Sequence, residues 1–204
     1  RQLGQLTGRR INLVAVSETD REKALSDGDV DAVITRVDSR DALRERLDVL
    51  PAAYASGLSV AMRSDTRVRS WTDLAGKTVC VTEANVAGQQ YLHAIGAKTR
   101  IERAPARTLA FVRTGACDAA IHDKALLDRL FEAENWRKFS ATLPAVLRSE
   151  LVLVLPKKTD AKLAALREAF SRATDAASWE ERGNRWATNV ALEVYLDQDA
   201  PDCH

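Results

Sequence analysis

One short phrase occurs twice in this chain, and it constrains the fold more than any other feature. Gly28-Asp-Val-Asp-Ala-Val-Ile34 is echoed by Gly115-Ala-Cys-Asp-Ala-Ala-Ile121. Each copy follows an amphipathic stretch and ends in an apolar run headed by Asp. A helix, a Gly turn and a buried parallel strand read this way. Two copies imply two similar α/β lobes, and two lobes imply a cleft that takes a ligand.

Composition sets the outer bounds. The 204 residues suffice for one large domain or two small lobes. Hydrophobic residues make up 46%, which is enough for a core, although aromatics are only 5%. The 30 basic and 29 acidic residues nearly cancel. The balance argues against nucleic acid as a partner and against a charged membrane surface. Local clusters such as Arg9-Arg10 and Arg44-Glu45-Arg46 mix with acids and read as solvated faces. No stretch approaches the ~20 apolar residues of a membrane span, so direct membrane insertion is not expected. No secretory signal is visible, but Arg1 is not an initiator Met.

Read along the chain, the residues up to Gly8 form the end of a helix. Strands are expected at Ile11–Val16, Val30–Thr35, Ser56–Arg63, Lys77–Thr82, Thr99–Arg103, Cys117–His122 and Glu150–Leu155. Helices are expected at Ser17–Leu25 with Ser17 as N-cap, and at Arg40–Leu47, Ser70–Gly76, Val86–Ile95, Thr108–Arg113, Lys124–Glu132, Asp160–Thr174 and Ser178–Leu196. Pro51-Ala-Ala-Tyr54 reads as a loop. This alternation implies parallel sheets with crossover helices. Lobe 1 is then 1–62 with 148–204, lobe 2 is 63–147, and two crossing strands make the hinge. Such sheets take ligands at the carboxyl ends of their strands. The loops there are Thr35–Ser39, Thr82–Val86 and His122–Lys124.

Two of these segments resemble a known family. Leu74-Ala-Gly-Lys-Thr-Val-Cys-Val81 is similar to the "DLxGKxVxV" opening of the second lobe in bacterial extracytoplasmic solute-binding proteins of family 3, the polar-amino-acid-binding type. Gly115-Ala-Cys-Asp-Ala-Ala-Ile-His-Asp123 resembles that family's "GxxDAxxxD". The resemblance runs from about Gly28 to Leu155. It implies an α/β fold of two Rossmann-like lobes on a two-strand hinge (periplasmic-binding-protein-like, type II, the Venus flytrap architecture). It also implies a non-enzymatic role: capture of a small polar, amino-acid-like ligand outside the cytoplasm, for an ABC transporter or for a membrane sensor.

The resemblance assigns residues as well. Asp123 stands where the family places the acid that holds the ligand ammonium; the alternative is an N-cap for the helix that follows. The family's carboxylate-binding Arg falls on Leu43 here, with Arg40 and Arg44 on either side and Arg36 closer to the strand end; one of Arg36 and Arg40 is expected to take the carboxylate. The family's second-lobe Gly-Thr-Thr loop reads Ala84-Asn85-Val86, which leaves Asn85 as its polar side chain. Thr35, Thr82 and Tyr54 complete the expected ligand-binding set. The family normally begins with a central strand that this chain lacks, so upstream residues are expected.

Cys80 and Cys117 lie on strands that are neighbours in a 2-1-3 order, and some family members carry cysteines at both places. A disulfide between them, within the ~4.4–6.8 Å Cα span, is expected; two buried thiols are the alternative. A bridge implies an oxidising, periplasmic or cell-surface setting. Cys203 is left over. No metal spacing, nucleophile elbow or phosphate loop is present, so no catalytic residue, metal or other cofactor is expected. His122 reads as structural. Glu83 is the acid that a dehydratase on this fold would need. A degenerate lobe pair serving as an interaction module of a larger membrane protein remains the other alternative.

Overall fold

The computed structural model describes residues 2–158 and 160–196. In chain order the elements are α1 (Gln2–Thr7), α2 (Arg21–Ser26), β1 (Val33–Val37), α3 (Leu43–Arg46), β2 (Asp48–Met62), β3 (Thr78–Thr82), α4 (Val86–Ala94) and β4 (Lys98–Glu102). Then come α5 (Pro105–Thr114), β5 (Ala119–Asp123), α6 (Lys124–Phe131), β6 (Val146–Leu155), α7 (Ala161–Ala173) and α8 (Ala176–Leu196). A 3₁₀ turn, Trp71–Leu74, precedes β3. No helix among the described residues is long and apolar enough to cross a membrane.

The chain divides into two compact units. Unit 1 is Arg1–Ala55 with Ser149–Glu180; unit 2 is Ser56–Arg148 with the residues from Glu181 on. The sequence had put the first boundary at 62 and assigned all of 148–204 to the first lobe. The chain passes between units at three places, two inside the long strands β2 and β6 and one inside α8. From Glu181 on, α8 groups with unit 2 because Val190 and Val194 are buried in that unit's core.

Unit 2 is a doubly wound sheet. Its strands run β2-β5-β3-β4. β3 is parallel to both β4 and β5, whereas β2 is antiparallel to β5. The expected 2-1-3 order is the β4-β3-β5 arrangement seen. One face packs Leu109, Val112, Leu127, Leu130 and Trp136; the other packs Val60, Val79, Val81, Leu92 and Ile121. Ser70 opens the 3₁₀ turn with a capping box, its side chain taking the Asp73 N–H while Asp73 takes the Ser70 N–H. The Arg69 and Ser70 amides hold the Asp73 carboxyl below its ordinary range. Cys80 and Cys117 are disulfide-bonded, with Cα atoms 5.9 Å apart.

In unit 1, β1 pairs antiparallel with β6, Thr35 opposite Val152 and Arg36 opposite Leu151. The parallel pairing expected for the first copy of the phrase is therefore absent. Leu25, Val33, Val37, Leu43, Val152 and Val154 form one cluster; Ala52, Leu153, Leu155, Leu163 and Phe170 form another. Ile11–Val16 is not a strand: it has no ladder partner, and Leu13 is 91% exposed. Ser17 does not cap α2. Its hydroxyl accepts from the Asp20 N–H, closing a turn before the helix starts at Arg21. Pro51–Tyr54 lies within β2 rather than in a loop, with Ala53 at φ 51°.

Both copies of the phrase begin at a glycine in the left-handed region, Gly28 at φ 79° and Gly115 at φ 80°. A side chain there is strained, and this explains why the phrase starts with Gly each time.

Candidate functional site

Of the residues singled out from the sequence, Thr82 and Asp123 end β3 and β5, Thr35 and Arg36 lie within β1, Arg40 and Asn85 lie beyond strand ends, and Tyr54 lies inside β2. In unit 2, Asp123 is the last residue of β5 and the N-cap position of α6, yet its side chain makes no capping hydrogen bond. The cap role passes to Ser56 on β2, whose Oγ accepts from the Ala125 N–H at 3.2 Å. Asp123 occupies the N-cap position without serving as the side-chain cap.

Thr82 ends β3, and its carbonyl accepts from the Asn85 N–H and from Gln89 Nε2. Gln89 also donates to the Glu83 carbonyl at 3.0 Å. Asn85 is the N-cap of α4, its Oδ1 taking the Gly88 N–H at 3.0 Å. A Cβ at Gly88 would stand 2.7–2.8 Å from the Asn85 amide, so the cap requires glycine at that place. The sequence offered Asn85 as a ligand-facing amide; the structure gives its carbonyl oxygen to the helix. Glu83 is exposed, with its N–H bonded to the Glu102 carbonyl. A dehydratase acid would need burial that Glu83 lacks.

His122, one residue before Asp123, is buried in the core. Its Nε2 lies 2.7 Å from the Thr108 hydroxyl, and its ring meets Trp186 edge-on. Because that hydroxyl donates to the Pro105 carbonyl, Nε2 carries the hydrogen. Burial pushes the His122 pKa down to about 4, so the ring is neutral at ordinary pH.

In unit 1, Arg36 donates to Ser149 Oγ at 3.0 Å and lies over the Tyr54 ring, 5.5 Å from its centre. Tyr54 packs on Trp179 at 4.7 Å, and Trp179 donates to the Ala52 carbonyl. Arg40 is exposed; the polar contact on its backbone is an N–H to Asp38 Oδ1. Thr35 Oγ1 accepts from Arg21, which also reaches Asp41 and the Arg36 carbonyl. Leu43, where the resemblance expects an arginine, is 2% exposed and belongs to the core. Arg44 turns instead to Glu150.

Sequence reading missed Arg21, Asp41 and Ser56. Each acts from an element distant in the chain, and no local spacing signals such pairings. Cys203 lies outside the described residues, and among those described no group of His, Cys, Asp and Glu could hold a metal ion.

These elements define a class: an α/β fold of the periplasmic-binding-protein type, built as two units that share strands. Solved structures with this fold cover most of the chain. ArgBP from T. maritima (a mutant form) has 16% identity over 92% of this chain and 82% of its own, with a TM-score of 0.60. The GluR0 ligand-binding core from Nostoc punctiforme, in complex with L-glutamate, has 19% identity over 91% and 86%, with a TM-score of 0.59. The substrate-binding protein of an amino acid ABC transporter has 15% identity over 91% and 83%, with a TM-score of 0.59. No protein-family model and no curated protein matches the chain.

Proposed function

We propose that this chain is an extracytoplasmic solute-binding module that captures a small polar, amino-acid-like ligand without chemistry, for transport or sensing. The observation that carries the reading is Asp123: it ends β5 next to a helix that Ser56, not Asp123, caps. A carboxylate at the carboxyl end of a sheet strand suits an ammonium group. The similar structures include amino-acid-binding proteins, which supports this ligand class. The buried Cys80–Cys117 disulfide fits an oxidising, periplasmic setting.

Two observations favour a second reading, a degenerate binding-protein-like module that regulates or scaffolds a membrane protein. Leu43 is core where the resemblance expects the carboxylate-binding arginine, and Asn85 is committed to α4.

Thermal denaturation against a panel of L-amino acids and small anions separates the two. A ligand at a hundredfold excess over its Kd adds ~2.7 kcal/mol. The Asp123→Asn variant is expected to lose any amino-acid response. A flat panel with wild-type protein favours the scaffold.

A further inference from the structure

Each unit ends in an edge strand, and the two edges are finished differently. β1 edges unit 1 and β4 edges unit 2. On β1 the Arg36 carbonyl accepts from Arg21, and the Arg36 side chain lies back over Tyr54. On β4 (Lys98–Glu102) the residues Lys98, Thr99, Arg100 and Ile101 are all exposed, Ile101 at 53%.

The phase of the ladder fixes which backbone groups β4 offers. The Lys98 N–H donates to the Lys77 carbonyl, and the Glu102 carbonyl accepts from the Glu83 N–H. In a parallel ladder the bonding residues alternate, so Lys98, Arg100 and Glu102 turn their backbone to β3. Thr99 and Ile101 turn theirs outward, in the spacing that another strand pairs with.

Side chains alternate too. Lys98, Arg100 and Glu102 share the face on which Arg100 stacks over Phe111, 3.6 Å from the ring centre; Arg107 reaches the same ring at 5.1 Å. Thr99 and Ile101 share the other face. Residues 98–107 hold four cations (Lys98, Arg100, Arg103 and Arg107) and one acid, a local charge of +3 in a chain of net charge +1. Glu102 divides its oxygens between Arg100, at 2.9 Å, and Arg107, at 3.4 Å. One carboxylate between two guanidiniums leaves positive charge over.

Charge selects the occupant. A second copy would bring the same positive surplus to the contact, which opposes pairing between copies. An acidic strand meets the opposite condition. We propose that the outer edge of β4 is a docking site for an extended acidic peptide segment of a partner protein, added to the unit 2 sheet as a further strand. Acids at alternate positions lie along Lys98 and Arg100, and β-branched residues between them lie along Thr99 and Ile101. The outward N–H and C=O groups of Thr99 and Ile101 make the ladder. The edge belongs to unit 2 alone, so the proposal stands apart from the solute-binding reading.

The probe is the blocked peptide Asp-Val-Asp-Val-Asp-Val-Asp with a fluorophore, followed by anisotropy, with amide exchange measured in parallel. The expected result is saturable binding that weakens with added salt, with exchange slowed at Thr99 and Ile101 and not in β1. Two control peptides are expected not to bind: one with Lys for each Asp, and one with Pro for each Val, which keeps the charge but cannot pair as a strand. Equal binding of the proline peptide, protection elsewhere than β4, or no binding of the Asp-Val peptide overturns the proposal. Lys98→Glu/Arg100→Glu is expected to weaken the peptide by about tenfold or more; an unchanged affinity also overturns it. If that variant fails to fold, Lys98→Gln/Arg100→Gln takes its place with the same expectation. Thr99→Pro removes one outward N–H, leaves the bonds to β3 in place and is expected to lose the peptide. Full retention would mean that charge alone holds the peptide, against the proposal.

Discussion

The two units differ in how far along the chain their ion pairs reach. Unit 2 uses backbone: Asn85 caps α4, Ser56 caps α6, and Gln89 ties down the carbonyls of Thr82 and Glu83. Unit 1 uses charge: Arg21 with Asp41, Arg44 with Glu150, Lys162 with Asp31 and Arg167 with Asp48. Unit 2 also has a disulfide and a mostly parallel sheet, whereas unit 1 leaves Ile11–Val16 outside any ladder. Unit 2 is ion-paired too, but between near neighbours in the chain, such as Arg63 with Asp65, Lys124 with Asp128 and Arg185 with Glu181. A unit whose strands pair antiparallel with a distant segment relies on side-chain ion pairs to hold the connections.

The largest expected break in this contrast is the disulfide. Its ends are 37 residues apart, so the chain-entropy model gives about 4 kcal/mol of stabilisation. Cys80→Ala/Cys117→Ala is expected to lower the unfolding free energy from urea denaturation by that order. Amide exchange is expected to rise first in β3 and β5, not in β1. Uniform acceleration in both units would contradict local stabilisation.

Next is acid. The folded-state pKa of His122 is below its ordinary value of 6.5, at about 4. The unfolded chain therefore binds the extra proton between those values, and the His122 contribution to stability falls as pH drops from about 6.5 towards 4 and is constant below. The loss is about 3 kcal/mol. Denaturant unfolding across that window checks it, and His122→Gln is expected to flatten the slope. An unchanged slope would move the acid sensitivity to other groups.

The smallest effect is the α4 cap. Asn85→Ala is expected to cost about 1 kcal/mol by thermal denaturation. Gly88→Ala is expected to cost at least as much, because the new Cβ displaces the same amide. If Asn85→Ala costs nothing but alters the amino-acid response, Asn85 serves the ligand more than the helix.

Unit 2 was legible within a residue or two at most element ends. The expected strand Lys77–Thr82 is seen as Thr78–Thr82, and the expected helix Val86–Ile95 as Val86–Ala94. Its signals are local: a capping box, an Asn N-cap, and a Gly at positive φ. Unit 1 was less legible. Ile11–Val16 has β-branched composition, but a strand needs a partner that composition cannot supply. Pro51–Tyr54 reads as a turn in isolation, yet it is carried inside the fifteen-residue strand β2.

The sequence by itself determined the repeated helix–glycine–strand phrase, the strand neighbours that bring Cys80 to Cys117, and the position of Asp123 at a strand end. Each depends on residues close in the chain or on one rule of strand order. Only the tertiary structure decided that Leu43 is core, that Ser56 takes the cap from Asp123, and that Arg21 meets Asp41. Those outcomes are competitions between groups far apart in sequence, and shielding from water sets the energy of each pairing.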